Sequence, residues 1–228
     1  MQIEVLDDDS AVARRAAAVI AADARAAVAA RGRFSLAVSG GRTPWAMLRA
    51  LADEDLPWAA VQLFQVDERI APAGDPDRNL THIAESLLAH APLPPAQVHA
   101  LPVAAADPAA AARDYGAVLR ALCGTPPVLD LVHLGLGPDG HTASLLPGDP
   151  VLDVSDAEVA LTGPYQGHRR LTLTYPVLNR ARRVLWLATG TDKRPMLARL
   201  RAGDTGIPAG RVAAANALLL TDRAAAGG

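Results

Sequence analysis

Residues 131–148 read Leu-Val-His-Leu-Gly-Leu-Gly-Pro-Asp-Gly-His-Thr-Ala-Ser-Leu-Leu-Pro-Gly, an apolar run followed by a glycine-rich loop and a histidine. We interpret the run at 129–134 as a buried strand, because it is short and almost wholly apolar. Three glycines then free the backbone from side-chain sterics and let it approach a ligand, at Gly135, Gly137 and Gly140. This stretch predicts a ligand-binding loop after a strand, with Gly137 among the substrate-binding residues.

Two residues of this loop predict its chemistry, His141 and Asp139. We expect His141 near the start of a short helical turn at 142–146, ended by Pro147. A titratable imidazole beside backbone N–H groups is what acyl transfer or proton transfer requires. His141 and Asp139 are therefore predicted as catalytic residues.

Two other interpretations of the loop compete with this one. Residues 135–140 match the G-x-G-x-x-G pattern of dinucleotide-binding proteins, but that pattern opens a long helix. Here Pro147 and Pro150 end any helix almost at once, which argues against a nicotinamide site. A structural turn with an incidental histidine remains open on these residues alone.

Length and composition indicate one folded domain over residues 1–228. The chain has 228 residues, of which 50% are hydrophobic, and it contains no linker or internal repeat. Such a chain can bury a large core. Alternating strands and helices predict an α/β fold, a mostly parallel Rossmann-like sheet flanked by helices with a small β appendage.

Charge and hydropathy indicate which partners and which cellular location to expect. A net charge of −2 with mixed signs argues against a nucleic-acid interface, which carries clustered Lys and Arg. No apolar run approaches the ~20 residues that span a bilayer, and the first residues lack the pattern of a signal peptide. We expect a cytoplasmic protein, with Cys123 as a small buried hydrophobe. The oligomeric state stays open.

A second glycine turn predicts an anion site. The strand at 34–38 runs into Ser39, Gly40, Gly41, Arg42 and Thr43, and we expect a helix at 45–52 with Thr43 as its N-cap. N–H groups converge at such a helix start, where the dipole is positive, and Arg42 can add charge. These five residues are predicted to bind a phosphate-bearing substrate, although an ordinary strand-to-helix turn is the alternative.

Charged residues follow the strand at 61–66. Asp67 and Arg69 are predicted to lie at the carboxyl end of that strand, on the face where open α/β sheets bind ligands. A solvated run of charges is the alternative that this segment leaves open.

Lys193 is the only lysine among 22 basic residues. It follows the strand at 184–188, in what we expect to be the first turn of a helix capped by Asp192. A cation there opposes the helix dipole, which indicates a functional reason such as phosphate binding. A surface lysine without a role is the alternative.

The rest of the chain predicts scaffold. We expect a long helix at 10–32 capped by Ser10, an edge strand at 3–6, a strand pair at 159–161 and 171–174, and a frayed end at 224–228. The shorter elements are helices at 80–89 and 107–122 and strands at 98–101 and 216–220.

Four stretches in this order resemble 6-phosphogluconolactonases. The run 135–145, G-L-G-P-D-G-H-T-A-S-L, is the most specific, because the sibling glucosamine-6-phosphate deaminases have I-A-F-N after the histidine. Thr142, Ala143 and Ser144 thus favour the lactonase. The other three stretches are 39–44, 67–69 with 75–79, and 170–174 with 190–193.

The resemblance implies a sugar-phosphate isomerase-like fold and hydrolysis of 6-phosphoglucono-δ-lactone to 6-phosphogluconate, in the oxidative pentose phosphate pathway. It implies a small sugar-phosphate lactone as partner and neither metal nor organic cofactor. In this pattern His141 is the general base, Asp67 and Arg69 are polar groups of the active site, and Lys193 and Arg170 bind phosphate. An amino-sugar phosphate deaminase and a non-catalytic sugar-phosphate sensor are the alternatives.

Overall fold

The computed structural model describes residues 1–227, so Gly228, the last residue of the expected frayed end, lies outside the described residues. The strands are β1 Gln2–Leu6, β2 Phe34–Val38, β3 Val61–Gln65, β4 Asp67–Arg69, β5 Val98–His99, β6 Leu131–Gly135, β7 Val159–Leu161, β8 Arg170–Leu173, β9 Arg183–Ala188 and β10 Ala217–Asp222. The helices are α1 Asp9–Arg31, α2 Arg42–Ala52, α3 Asn79–Ile83, α4 Pro108–Cys123, α5 Tyr175–Arg180, α6 Arg194–Arg201 and α7 Arg223–Ala226.

Seven strands form one parallel sheet in the order β1-β10-β9-β6-β2-β3-β5. The predicted α/β class is therefore confirmed, with β1 at the edge as expected. The chain leaves β6 toward β9 on one side and leaves β2 toward β3 on the other, so the strand order reverses between β6 and β2. Open parallel sheets bind ligands beyond the carboxyl ends of the strands at such a reversal.

Both faces of this sheet are buried, which explains its apolar strands. Along β6, Val132 and Leu134 pack into one hydrophobic cluster with residues of α4 and α5. Leu131 packs on the other face into a second cluster, with residues of α1 and α2. Successive side chains of a strand point to opposite faces, so a strand between two helical layers must be apolar on both.

A second sheet is the predicted β appendage. Its three strands run in the order β4-β8-β7, with antiparallel pairing. The strand pair β7 and β8 was expected, whereas β4 was not, because its three residues are all charged. Leu171 and Leu173 of β8 pack into the same hydrophobic cluster as Trp186 of the large sheet.

Two predicted helix starts are wrong. Asp8 rather than Ser10 caps α1, and its carboxylate accepts a hydrogen bond from the Ala11 N–H at 2.7 Å. Helix α2 begins at Arg42, with Gly41 at the N-cap position, so Thr43 lies inside the helix. Gly41 makes the earlier start possible because its φ of 127° is open to glycine and strained for other residues.

The expected helical turn at 142–146 does not form. Residues Thr142 and Leu145 instead pair as an isolated bridge, and Ala143 between them has a φ of 52°. Asp192 is not a helix cap either. It lies with Lys193 in a 3₁₀ turn, Thr191–Lys193, before α6 begins at Arg194.

The remaining differences are small. The helix expected at 80–89 is α3 followed by a π-helical turn, Ala84–Leu88. The strand expected at 98–101 shortens to β5. Residues of the expected frayed end form α7 as far as Ala226.

The hydropathy of the helices and the burial of Cys123 bear on two further expectations from the sequence. Across 1–227, no helix has both the length and the apolar character needed to cross a bilayer. Cys123 is buried as expected, and burial raises the pKa of its thiol to about 11.

Candidate active site

The carboxyl ends of β2, β6 and β9 and one face of the small sheet enclose a cavity of about 390 Å³. The sequence-predicted residues that line it are Ser39, Gly40, Gly41, Arg42, Thr43, Asp67, Arg69, Gly137, His141, Arg170 and Lys193. Asp139 is the one predicted site residue outside the lining, and it lies behind His141. Residues from five separate segments of the chain thus share one cavity.

His141 is bound to Asp139 on its inner side. Its Nδ1 lies 2.5 Å from Oδ1 of Asp139, and the backbone N–H of His141 donates to the same oxygen at 3.1 Å. A carboxylate only accepts hydrogen bonds, so Nδ1 carries the proton and Nε2 holds the lone pair. Within residues 1–227, Nε2 has no protein hydrogen-bond partner, and the ring is 18% exposed. This nitrogen is available to take a proton.

Asp139 stays ionised beside the imidazole. Partial burial alone would raise the pKa of its carboxyl, but hydrogen bonds and charge from His141 outweigh burial and lower the pKa below its ordinary value. Asp139, rather than Asp67 or a backbone carbonyl, is the group that contacts Nδ1 and orients the ring.

Gly137 makes room for the imidazole. A Cβ added there would lie 2.2 Å from Nδ1 of His141, which no side-chain shift could accommodate without moving the ring. The N–H of Gly137 donates to the His141 carbonyl at 2.8 Å, and the N–H of Gly140 donates to the Gly137 carbonyl at 3.1 Å. Both N–H groups therefore shape the loop rather than face a ligand.

Asp67 is buried in the cavity wall. Its Oδ2 accepts a hydrogen bond from the Ser144 hydroxyl at 2.6 Å, and Asn79 Nδ2 donates to its backbone carbonyl at 3.0 Å. Thr172 is the residue opposite Asp67 on β8, and its hydroxyl accepts a hydrogen bond from the Ser144 N–H at 3.1 Å. The Ser144 hydroxyl thus holds Asp67 in place.

Its neighbour Glu68 is wholly buried and faces away from the cavity. It accepts hydrogen bonds from the backbone N–H groups of Arg69, Asn79 and Leu80 and from the Gln65 side chain, at 2.7–2.9 Å. The alternative of a solvated charge run is therefore wrong, because Asp67 is 5% and Glu68 0% exposed.

Two arginines flank Asp67 on the same face of the small sheet. Arg69 pairs with Arg170 across β4 and β8, and both line the cavity. The guanidinium of Arg170 lies 5.1 Å from the centre of the Tyr165 ring. Burial lowers the pKa of Arg170 and the nearby Asp67 charge opposes that shift, but an arginine keeps its charge in either case.

The Ser39 loop on the opposite side presents backbone rather than side chains. The Ser39 N–H donates to Nδ1 of His133 at 3.2 Å, and the Ser39 hydroxyl donates to the His133 carbonyl at 3.1 Å. No side chain caps α2, so the N–H groups at its start are open to a ligand. A Cβ at Gly40 would lie 2.0 Å from Oδ1 of Asn79, so this position also requires glycine.

The segments that follow β2 and β9 meet beside the cavity, and they carry Thr43 and Lys193 respectively. The Thr43 hydroxyl lies 2.7 Å from that of Thr189. The Lys193 side chain is 25% exposed, its ammonium pairs with Asp192 at 3.1 Å, and both residues line the cavity. The loop with the single lysine therefore lies beside the uncapped helix start.

The sequence did not single out several residues of the site, namely Trp45, Asn79, Tyr165, Gln166 and Thr189. Asn79 lies in the motif that carried the resemblance, and a direct role could have been read from it. Tyr165 and Gln166 occupy the hairpin turn before β8, where the flanking glycines indicated only a turn.

A comparison with known families decides the wider class. The family model described as glucosamine-6-phosphate isomerases/6-phosphogluconolactonase matches residues 7–220. The chain belongs to this family. A curated 6-phosphogluconolactonase of Synechocystis sp. is 38% identical over 205 residues, which cover 88% of this chain and 85% of the relative.

Solved structures of the glucosamine-6-phosphate isomerase/6-phosphogluconolactonase family agree. The 6-phosphogluconolactonase of Thermotoga maritima superposes with a TM-score of 0.87 at 28% identity, covering 97% of this chain and 98% of that one. A monomeric glucosamine-6-phosphate deaminase has the same TM-score at 19% identity, with 99% of each chain covered, and shows the shared fold alone. The resemblance drawn from the sequence is confirmed, as is the expected enzyme class, a carboxylic ester hydrolase.

Proposed function

We propose that this protein hydrolyses 6-phosphoglucono-δ-lactone to 6-phosphogluconate. One observation carries the proposal, namely that the His141–Asp139 pair and Lys193 serve a single cavity. A base and a cation on the same cavity suit a substrate with a reactive ester at one end and a phosphate at the other. The relatives named 6-phosphogluconolactonase support it.

In the proposed reaction His141 acts as the general base. Nε2 removes a proton from water while the water oxygen forms a bond to the lactone carbonyl carbon, and the π electron pair moves to the carbonyl oxygen. The carbonyl then re-forms as its bond to the ring oxygen breaks, and the proton on Nε2 passes to that oxygen. A positioned base typically contributes about 10² to 10⁴ in rate. Asp139 holds the ring and stabilises the imidazolium.

Arg69 is the donor that we assign to the tetrahedral oxyanion. The N–H groups of Gly137 and Gly140 are already used within their loop, so the cationic side chain beside Asp67 is the stronger choice. Removal of one oxyanion donor costs on the order of 2.7 to 4 kcal/mol in a serine protease, where the same kind of intermediate forms. The Asp67 carboxylate accepts a hydrogen bond from a sugar hydroxyl and balances the charge of Arg170.

The phosphate binds to Lys193 and Arg170 in this proposal. The residues Ser39, Gly40, Gly41, Arg42 and Thr43 bring the uncapped start of α2 to the same cavity. Helix N-termini favour anions because their N–H groups are unpaired and their dipole is positive. Binding at the phosphate holds the lactone carbonyl in position for the water that His141 activates.

The decisive experiment is a lactonase assay on freshly generated substrate, corrected for spontaneous ring opening. His141→Ala is expected to lower kcat by about two orders of magnitude or more, because it removes the base. His90, an exposed histidine outside the cavity, provides the matched control, and His90→Ala is expected to keep wild-type kcat.

Three results would contradict the proposal. Wild-type turnover by His141→Ala would remove the base from the mechanism. Ammonia release from glucosamine 6-phosphate without lactone hydrolysis would indicate a deaminase. Thermal stabilisation by 6-phosphogluconate without any turnover would indicate a sensor.

A further inference from the structure

The hairpin turn between β7 and β8 carries backbone strain next to the cavity. Tyr165 and His168 pair across this turn, with Gln166 at a φ of 50° and Gly167 at 85° between them. Among residues 1–227, the non-glycine residues with positive φ are Gln166 and Ala143, and both line the cavity. Strain of this kind persists where surrounding contacts enforce it, often at functional sites.

Tyr165 in this turn contacts three groups of the site. Its hydroxyl donates a hydrogen bond to Oδ2 of Asp139 at 3.2 Å. Its ring meets the His141 imidazole edge to face, with the ring centres 5.6 Å apart and the planes at 71°. The guanidinium of Arg170 covers its face at 5.1 Å. One side chain thus connects the base, the partner of the base and a substrate-binding arginine.

The two oxygens of Asp139 are held differently. Oδ1 accepts from the backbone and the ring of His141 itself, whereas Tyr165 is the protein donor to Oδ2 within residues 1–227. His141 and Asp139 could therefore swing together without breaking their mutual bonds. Tyr165 is the contact from another segment that fixes the pair against the small sheet.

We propose that Tyr165 is a positioning residue, whose hydroxyl fixes the Asp139–His141 pair and whose ring supports Arg170. This inference rests on the proposed function, in which His141 is the base. The hydroxyl is a reliable donor, because burial first and the Asp139 charge second raise the pKa of Tyr165 above its ordinary value. The charged groups that face this ring are Asp139, His141 and Arg170.

The hydroxyl and the ring of Tyr165 predict different kinetic effects when each is removed. Loss of the hydroxyl leaves the pair less well oriented, which lowers kcat and leaves substrate binding intact. It also leaves the whole Asp139 charge to stabilise the imidazolium, so the acid limb of the pH–rate profile moves to higher pH. Loss of the ring removes the surface on which Arg170 rests, which raises KM.

Tyr165→Phe tests the hydroxyl. We expect kcat to fall roughly three- to tenfold, less than the full effect of a hydrogen bond to a charged group because Asp139 keeps its bonds to His141, with KM within about twofold and the acid limb at higher pH. The matched control is Tyr175→Phe, which removes a hydroxyl that donates to the Pro208 carbonyl at 2.8 Å, outside the cavity. That control is expected to keep wild-type kcat and the wild-type limb, whatever its melting temperature.

Tyr165→Leu tests the ring, with an expected rise in KM that Tyr165→Phe lacks. Wild-type kcat with an unmoved acid limb in Tyr165→Phe would overturn the inference, and so would a KM in Tyr165→Leu equal to that of Tyr165→Phe. The two proposals fail separately. An active His141→Ala variant would contradict the role of His141 as the base. An inactive His141→Ala variant together with a Tyr165→Phe variant like the wild type would contradict only the role of Tyr165.

Discussion

The two walls of the cavity are built from different parts of the chain. The wall at the carboxyl edge of the parallel sheet presents backbone, in the Ser39 loop and the Gly137 loop, and glycines there allow close approach. The wall formed by the small antiparallel sheet presents side chains, Asp67, Arg69 and Arg170, and a buried hydrogen bond from Ser144 holds Asp67. The first wall is therefore vulnerable to added volume, and the second to the loss of a polar partner.

The largest effect is expected from added volume in the backbone wall. Gly137→Ala would push its Cβ to 2.2 Å from Nδ1 of His141, so the ring must move. A displacement of a catalytic group by about 1 Å can cost about 10² in rate, and we expect a loss of that size in kcat. The matched control is Gly135→Ala, since a Cβ at Gly135 meets nothing within 4 Å.

Steady-state kinetics of both variants, with melting temperatures, would check this difference. Wild-type kcat in both Gly137→Ala and Gly135→Ala would show that the loop adapts, and the backbone wall would then be no more rigid than the side-chain wall.

The next effect concerns Lys193, the cation beside the start of α2. Lys193→Ala is expected to raise KM and weaken product inhibition by 6-phosphogluconate roughly 10- to 100-fold, the range for hydrogen bonds to a charged group. Lys193→Arg should restore part of the affinity, because it keeps the charge. An inhibition constant unchanged in the alanine variant would place the phosphate elsewhere.

Acid should weaken the backbone wall through His133. This buried ring accepts the Ser39 N–H, and burial lowers its pKa to about 3 from the ordinary value of 6.5. Between those values the unfolded chain takes up a proton that the folded chain does not, so stability falls as the pH falls. The free energy of unfolding is expected to drop by about 1.4 kcal/mol per pH unit well below the ordinary value.

Urea denaturation at several pH values would measure this slope. His133→Asn is expected to be less stable at neutral pH and to show a flatter dependence in mild acid. An equal slope in both chains would assign the acid sensitivity to another group.

The smallest effect is expected from a lost partner in the side-chain wall. Ser144→Ala removes the hydroxyl that donates to Asp67 at 2.6 Å and is expected to cost about 1 to 3 kcal/mol of stability. Ser10→Ala is the control, because Asp8 rather than Ser10 caps α1, and no change is expected. A loss as large in Ser10→Ala would contradict that assignment of the cap.

Apolar runs and glycine turns made the backbone wall predictable from the sequence. Strand β2 was predicted with its observed bounds, since local pattern alone specifies a buried strand followed by a glycine turn. The prediction of Thr43 as N-cap was wrong because Gly41 takes the N-cap position two residues earlier, which leaves the Thr43 hydroxyl to meet Thr189. That contact joins residues 146 positions apart, and no local rule anticipates it.

The side-chain wall was only half predictable. Asp67 and Arg69 stood out as charges after a strand, but their placement depends on Ser144 and Glu68 contacts that form only in the folded chain. Strand β4 escaped prediction for the same reason, because three charged residues carry no strand pattern. Tyr165 could not be singled out, since its importance comes from meeting Asp139 across 26 positions of sequence.

The Glu68 carboxylate ties both ends of the segment between Arg69 and Asn79 to one point. Because both ends of this loop are held, a change in its length or composition does not displace the residues that anchor it. Residues of this loop can therefore be inserted or exchanged while Asp67 keeps its place, because Asp67 is held by Ser144 and Asn79.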